Sequence, residues 1–223
     1  MRTRLADRKL PNYSIGEERF NYISHIVGGA VGFIALILCV IISSWHHDVM
    51  AIATSIIYGT TMILLYCMSS IYHGLKDGIA KRVFQVLDHC AIYILIAGTY
   101  TPIALCSIRD INPVIGWGLF AVEWSMAIIA IIFNAIDLKK YAIFSMICNR
   151  VLGWGAVSVL TVAVKALPWD GFIYILVGGI LYTVGTVLYG IGKKKKSYMH
   201  CIFHIFVLLA SIIQLLGIVF YVL

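Results

Sequence analysis

The sequence predicts an all-α integral membrane protein: a seven-transmembrane helix bundle with its amino terminus in the cytoplasm and its carboxyl terminus outside. Three observations lead there. Of the 223 residues, 61% are hydrophobic and only 12% charged, about half the charged share of a soluble domain. The apolar residues form runs of about 20 or more, the length that crosses the hydrocarbon core as a helix. The basic residues cluster in alternate loops, the asymmetry that orients a multi-pass protein.

Apolar runs bounded by charges or Pro/Gly breaks place the helices at about 22–44, 50–72, 84–106, 114–134, 142–165, 170–192 and 199–222. Barrel strands are excluded because they would alternate in and out over about ten residues. The first run begins at Tyr22 and lasts about 23 residues, longer than the roughly 7 to 15 of a signal-peptide core, so it is expected to stay in the mature chain. Residues 1–21 then form a cytoplasmic amino-terminal segment and 22–223 a single domain. Gly28 and Gly32 make a G-x-x-x-G on the first helix. Gly153 and Gly155 flank Trp154 in the fifth, and Gly178, Gly179 and Gly185 thin the sixth; such small residues let helices approach closely. Pro102 is expected to kink the third helix.

Fifteen of the 17 Lys and Arg residues fall on one face: the amino-terminal segment, the second and fourth loops, Arg150 and the lysine run at 193–196. Only Arg109 and Lys165 lie opposite. The positive-inside rule makes the basic face cytoplasmic, and Trp45, Trp117 and Trp169 fall at outer helix ends as an aromatic belt. The net charge of +7 is therefore a topology signal, with some attraction to anionic lipid at the lysine run. No aqueous domain exists to carry a nucleic-acid patch. The six cysteines lie inside apolar stretches without a C-x-x-C pair, which points to helix packing rather than disulfides or a thiolate zinc site.

Ionisable side chains within spans are costly and mark candidate sites. His73 ends the second helix, Asp88 lies near the start of the third, and His200 and His204 open the seventh, all in one leaflet. At 1.5 Å per residue, Asp88 sits about 9 Å and His204 about 12 Å beyond their flanking basic residues, so a shared pocket is geometrically available. His200 and His204 are spaced i, i+4 on one helix face, as are Ser69 and His73, whose hydroxyl can orient the ring. Three neutral imidazoles leave a fourth tetrahedral position for water, which Asp88 can hold and deprotonate; this is a hydrolase design. On spacing alone a second reading stays open, in which each histidine simply hydrogen-bonds to a neighbouring helix. His89 points about 100° away from Asp88. Glu123 and Asn134 on the fourth helix read either as an ion pathway or as structurally satisfied groups.

With these residues in view, the chain resembles the hemolysin III family, the bacterial branch of the progestin and adipoQ receptor superfamily that includes the adiponectin receptors. The resemblance rests on Glu-Glu-Arg-Phe-Asn-Tyr-Ile-Ser-His at 17–25, Ser-Ser-Ile-Tyr-His at 69–73, Leu-Asp-His-Cys-Ala-Ile-Tyr-Ile-Leu-Ile-Ala-Gly-Thr-Tyr-Thr-Pro at 87–102 and His-Cys-Ile-Phe-His-Ile-Phe-Val at 200–207. It implies Zn²⁺ held by His73, His200 and His204, with Asp88 acting through a water and Ser69 as a partner. It also implies a lipid-amide hydrolase activity of the ceramidase type. This chain has Gln214 where members often carry a further histidine.

The expected function is thus a zinc-dependent hydrolase of lipid amides or esters, acting on a membrane lipid in the bacterial plasma membrane. The alternatives are a non-enzymatic receptor or regulator with structural zinc, or a cytolytic hemolysin, for which no amphipathic barrel pattern is visible. A retinal pump is excluded because it needs a Schiff-base lysine in the last helix, and no lysine follows Lys196.

Overall fold

The computed structural model describes residues 3–192 and 198–223; Arg2 and the lysine run at 193–196, with the lipid attraction read for it, lie outside the described residues. Among those residues the regular structure is all helical, without strands. Six helices are long and apolar enough to cross a bilayer: α1 (Ile15–Trp45), α2 (Val49–Gly74), α3 (Ile79–Ile111), α4 (Pro113–Asp137), α6 (Trp169–Gly192) and α7 (Met199–Tyr221). α1 packs against α2 and α7, α6 against α7, α2 against α3, and α3 against α4. The outward faces carry Ile23, Phe33, Ile41, Val122, Ile129 and Phe220 exposed, an apolar girdle too large for a soluble surface.

Helix ends follow local chemistry. α1 starts seven residues before the apolar run because Ser14 and Glu17 form a capping box: Ser14 Oγ accepts from Glu17 N at 3.2 Å and Glu17 Oε2 accepts from Ser14 N at 2.8 Å. Two polar turns are thereby added to the buried stripe, which runs Glu17, Asn21, His25, Gly28, Gly32, Ala35, Cys39, Ser43. Asp48 caps α2, and Asn112 caps α4 ahead of Pro113, where a missing N–H costs nothing. The G-x-x-x-G meets α2 as expected: a Cβ on Gly28 would fall 2.3 Å from the Tyr66 ring. That ring reaches across the core to donate to Ser211 of α7 at 2.8 Å.

Two helices depart from the expected form. α3 is longer than 84–106, and after Pro102 it widens into a π-helical stretch over Ile103–Ile108. Proline lacks the N–H for an α-helical bond and crowds the preceding turn, and a π-turn absorbs the mismatch without breaking the rod. The expected single span at 142–165 is instead α5, an interrupted run of Ala142–Gly153, Gly155–Ser158 and Leu160–Ala166. The glycines around Trp154 end the first piece, as low helix propensity predicts, rather than serving only as packing residues. Asn134 ties α4 to α3 and α5 through hydrogen bonds with Tyr93 and Ser145.

No disulfide forms among the six cysteines; Cys39, Cys90, Cys148 and Cys201 are buried as packing residues. Thr3 N donates to Asp137 Oδ2, Arg8 Nη2 to the Ile136 carbonyl and Arg82 Nε to the Arg8 carbonyl. The amino-terminal segment is therefore strapped across the bundle end where α2 and α4 finish and α1, α3 and α7 begin.

Candidate metal centre

At that end α2 and α7 deliver three imidazoles to one point. His73 occupies the last turn of α2; His200 and His204 occupy the first turns of α7, one above the other. His200 Nε2 lies 3.2 Å from His73 Nε2 and 3.0 Å from His204 Nε2, and one ligand atom from each ring lies within 4.8 Å of the others. His73 and His204 are each 2% exposed. The convergence expected from the i, i+4 pair and the matched depth is present, and the three rings form a group that can hold a metal ion.

The tautomer is imposed from outside the group. His73 Nδ1 lies 2.6 Å from Glu18 Oε2, and Lys81 Nζ lies 2.6 Å from the other oxygen, Glu18 Oε1, while also donating to the Leu75 carbonyl at 3.0 Å. A carboxylate accepts only, so Nδ1 is the donor, and the neutral ring then presents the Nε2 lone pair to the cluster. Lys81 is 4% exposed, and its charge is balanced by Glu18 rather than by water.

The remaining sequence-predicted residues are placed as follows. Asp88 is buried at the start of α3, outside the three-histidine group, beside Tyr72 and Tyr189, whose rings border His73 and His200. Ser69 is buried one turn before His73 on α2, but the second nitrogen of His73 goes to Glu18. His89 bonds the Gln85 carbonyl at 2.8 Å and stays outside the group.

Four neighbours were not assigned a role from spacing. Glu18 and Lys81 hold His73. Tyr13, from the strapped amino-terminal segment, stacks on His200 with ring centroids 4.9 Å apart; burial, then Tyr189 and Tyr72, raise its phenol well above the ordinary range, so it stays neutral. His25 stacks on His204 at 3.8 Å. Both ring nitrogens of His25, and both amide atoms of Asn21 one turn earlier, are buried without a protein partner. The available signal was the buried stripe itself: Glu17, Asn21 and His25 recur at four-residue spacing ahead of the small residues that pack α1 on α2. Glu17 has its own task, since its Oε1 accepts from Tyr198 N at 2.6 Å. Tyr198 adopts φ of 66°, a strained conformation for a bulky residue, and this anchored turn sets the start of α7 and thus of His200.

Comparison with known proteins identifies the family. Residues 13–215 match the family described as Haemolysin-III related. The chain is 36% identical over 209 residues to Hemolysin-3 of Bacillus cereus, covering 94% of this chain and 93% of that one. It is 33% identical over 209 residues to the Hemolysin-3 homolog of Bacillus subtilis (strain 168), covering 94% and 96%. With its long apolar helices and near-complete coverage of these relatives, the chain belongs to the hemolysin III family of integral membrane proteins.

Proposed function

We propose that this protein is a zinc-dependent hydrolase of membrane lipid amides or esters, ceramidase-like in chemistry and acting in lipid homeostasis of the bacterial plasma membrane. The reading takes α5 as completing a seventh crossing and the basic, histidine-bearing end as cytoplasmic. The observation that carries it is the convergence of three imidazole nitrogens, one of the rings oriented by the half-buried carboxylate of Glu18.

The donor set fits the metal. Three histidines at zinc–nitrogen bonds of about 2.0–2.1 Å in a tetrahedron would stand about 3.3 Å apart, close to the 3.2 and 3.0 Å between the paired Nε2 atoms. A bound zinc ion at such a three-histidine site lowers the pKa of a water toward about 7 and polarises a carbonyl. The chain supplies the rest. Glu18 keeps His73 in the ligating tautomer. Asp88 accepts the proton of the attacking water and returns it to the leaving amine or alkoxide. Asn21 and His25 offer unpaired polar atoms beside His204 for the amide of a substrate, and Ser69 supports the α2 side. The products are a fatty acid and the amine or alcohol.

The test is zinc per purified chain, measured for the parent and for His204→Ala, with hydrolysis of an N-acyl lipid in reconstituted vesicles. Loss of zinc together with loss of turnover is expected; unchanged zinc in the variant would remove the site. The position of Asp88 outside the histidine group favours a second reading, a regulator in which zinc only staples the helices. Asp88→Asn separates the two: retained zinc with abolished turnover supports the hydrolase, whereas retained zinc with unaltered lipid composition supports the regulator.

A further inference from the structure

Glu123 lies far from the histidines, ten residues into α4 and fourteen before its end, so about 15 Å from one end of the bundle and 21 Å from the other. It is 2% exposed, and its Oε2 is buried without a hydrogen-bond partner. No cation among the described residues pairs with it; Tyr100 of α3 lies near it, and Gly155 of α5 faces its carboxyl. An ionised carboxylate left in such surroundings is strongly disfavoured relative to the neutral acid.

The carboxyl is aimed at the interruption of α5. A Cβ built on Gly155 would lie 1.9 Å from Glu123 Oε1, so only glycine at that position lets the carboxyl reach the break. There Tyr100 OH donates to the Gly153 carbonyl at 3.0 Å and accepts from Ala156 N at 3.2 Å, bridging the two helix pieces. Trp154, between the glycines, donates through Nε1 to Thr183 Oγ1 of α6 at 3.1 Å. A mostly apolar cleft of about 30 Å³ beside the break, lined by Tyr100, Gly153, Trp154 and hydrophobic residues of α5 and α6, is large enough for one water. Irregular backbone at membrane depth persists where it is buried in protein or lines a wet cavity, and such broken helices commonly carry ion or proton sites.

We propose that Glu123 is a second functional site, a proton-binding carboxyl that is neutral in the folded protein and whose deprotonation loosens the α5 interruption held by Tyr100. The ligand is the proton itself. The surroundings offer too few oxygens for a metal cation, since hard cations such as calcium and magnesium take six or more oxygen ligands.

Infrared difference spectroscopy of the purified full chain in detergent, titrated with acid and alkali, tests this. A carbonyl-stretch band of a neutral carboxylic acid, sensitive to D₂O, is expected at neutral pH, absent in Glu123→Gln and displaced in Gly155→Ala. In the alkaline range that removes the band, Trp154 emission should shift to the red. That shift should vanish in Trp154→Phe, where the band remains, and in Glu123→Gln. A carboxylate at neutral pH, a band that survives Glu123→Gln, or loss of the band without any Trp154 response each overturns the proposal. So does loss of the band at fixed pH on adding sodium, which would assign the site to a metal cation. Should Glu123→Gln fail to fold, the displacement of the band in Gly155→Ala decides.

Discussion

At the histidine end of the bundle a chain of titratable groups is paired: Lys81 faces Glu18, Glu18 faces His73, and His200 faces both His73 and His204. Halfway down, Glu123 faces Gly155 and lies near Tyr100, with no charged neighbour among the described residues. The helices differ in the same way. α1, α2 and α7 are continuous where they carry the histidine group, so the side chains alone build it and rigid faces set their distances. Opposite Glu123, α5 is broken, so backbone groups take part. A site made of side chains suits ligand geometry that must not change, whereas a site made partly of freed backbone is suited to movement.

The sharpest way to break the comparison is to remove a ligand. His73→Ala should weaken zinc binding by more than the roughly 100-fold that bounds outer partners, read by competition with a chromogenic chelator, and should leave the Glu123 acid band untouched. Conversely, Glu123→Gln should leave zinc affinity within experimental error of the parent. Coupling in both directions would show one site rather than two. Zinc binding should also weaken as pH falls, because each imidazole must be free of its proton to ligate and protons compete for the same lone pair.

A smaller effect is expected one layer out. Glu18→Gln keeps the shape but removes the charge that holds the His73 proton on Nδ1 and balances Lys81. Zinc affinity should fall about 10- to 100-fold. Lys81→Met should fall in the same direction by less, since Glu18 retains its bond to His73. If Glu18→Gln binds zinc as tightly as the parent, the 2.6 Å contact orients nothing.

Much of this was legible from the sequence, for identifiable physical reasons. Long apolar runs point to helices because a membrane interior admits little else, and paired histidines at helical spacing with matched depth point to the three rings that converge. The beginning of α1 was not legible from hydropathy, since its first two turns are polar; it needed the Ser14–Glu17 cap. Glu18 and Lys81 were missed as site residues because one stood outside the apolar run and the other was counted toward topology. Their pairing depends on how α1, α2 and α3 meet, which no local pattern encodes. The break in α5 was misread for a related reason: Gly-Trp-Gly in an apolar run reads equally as close packing or as a helix end. The choice between these depends on Tyr100, some fifty residues away, bridging the gap.

The smallest expected effect concerns how α1 is started. Ser14 Oγ caps the helix and Glu17 closes the box while also holding Tyr198 N. Ser14→Ala removes one of these bonds and should cost about 1 kcal/mol of stability, measured by denaturant unfolding in a fixed detergent. Glu17 still anchors Tyr198 in the variant, so α7 keeps its start and His200 and His204 keep their positions. Fraying then reaches only the turn that carries Glu18, and zinc affinity should fall by less than in Glu18→Gln. An equal or greater loss would mean that the cap, rather than the carboxylate it places, governs the geometry of the histidines.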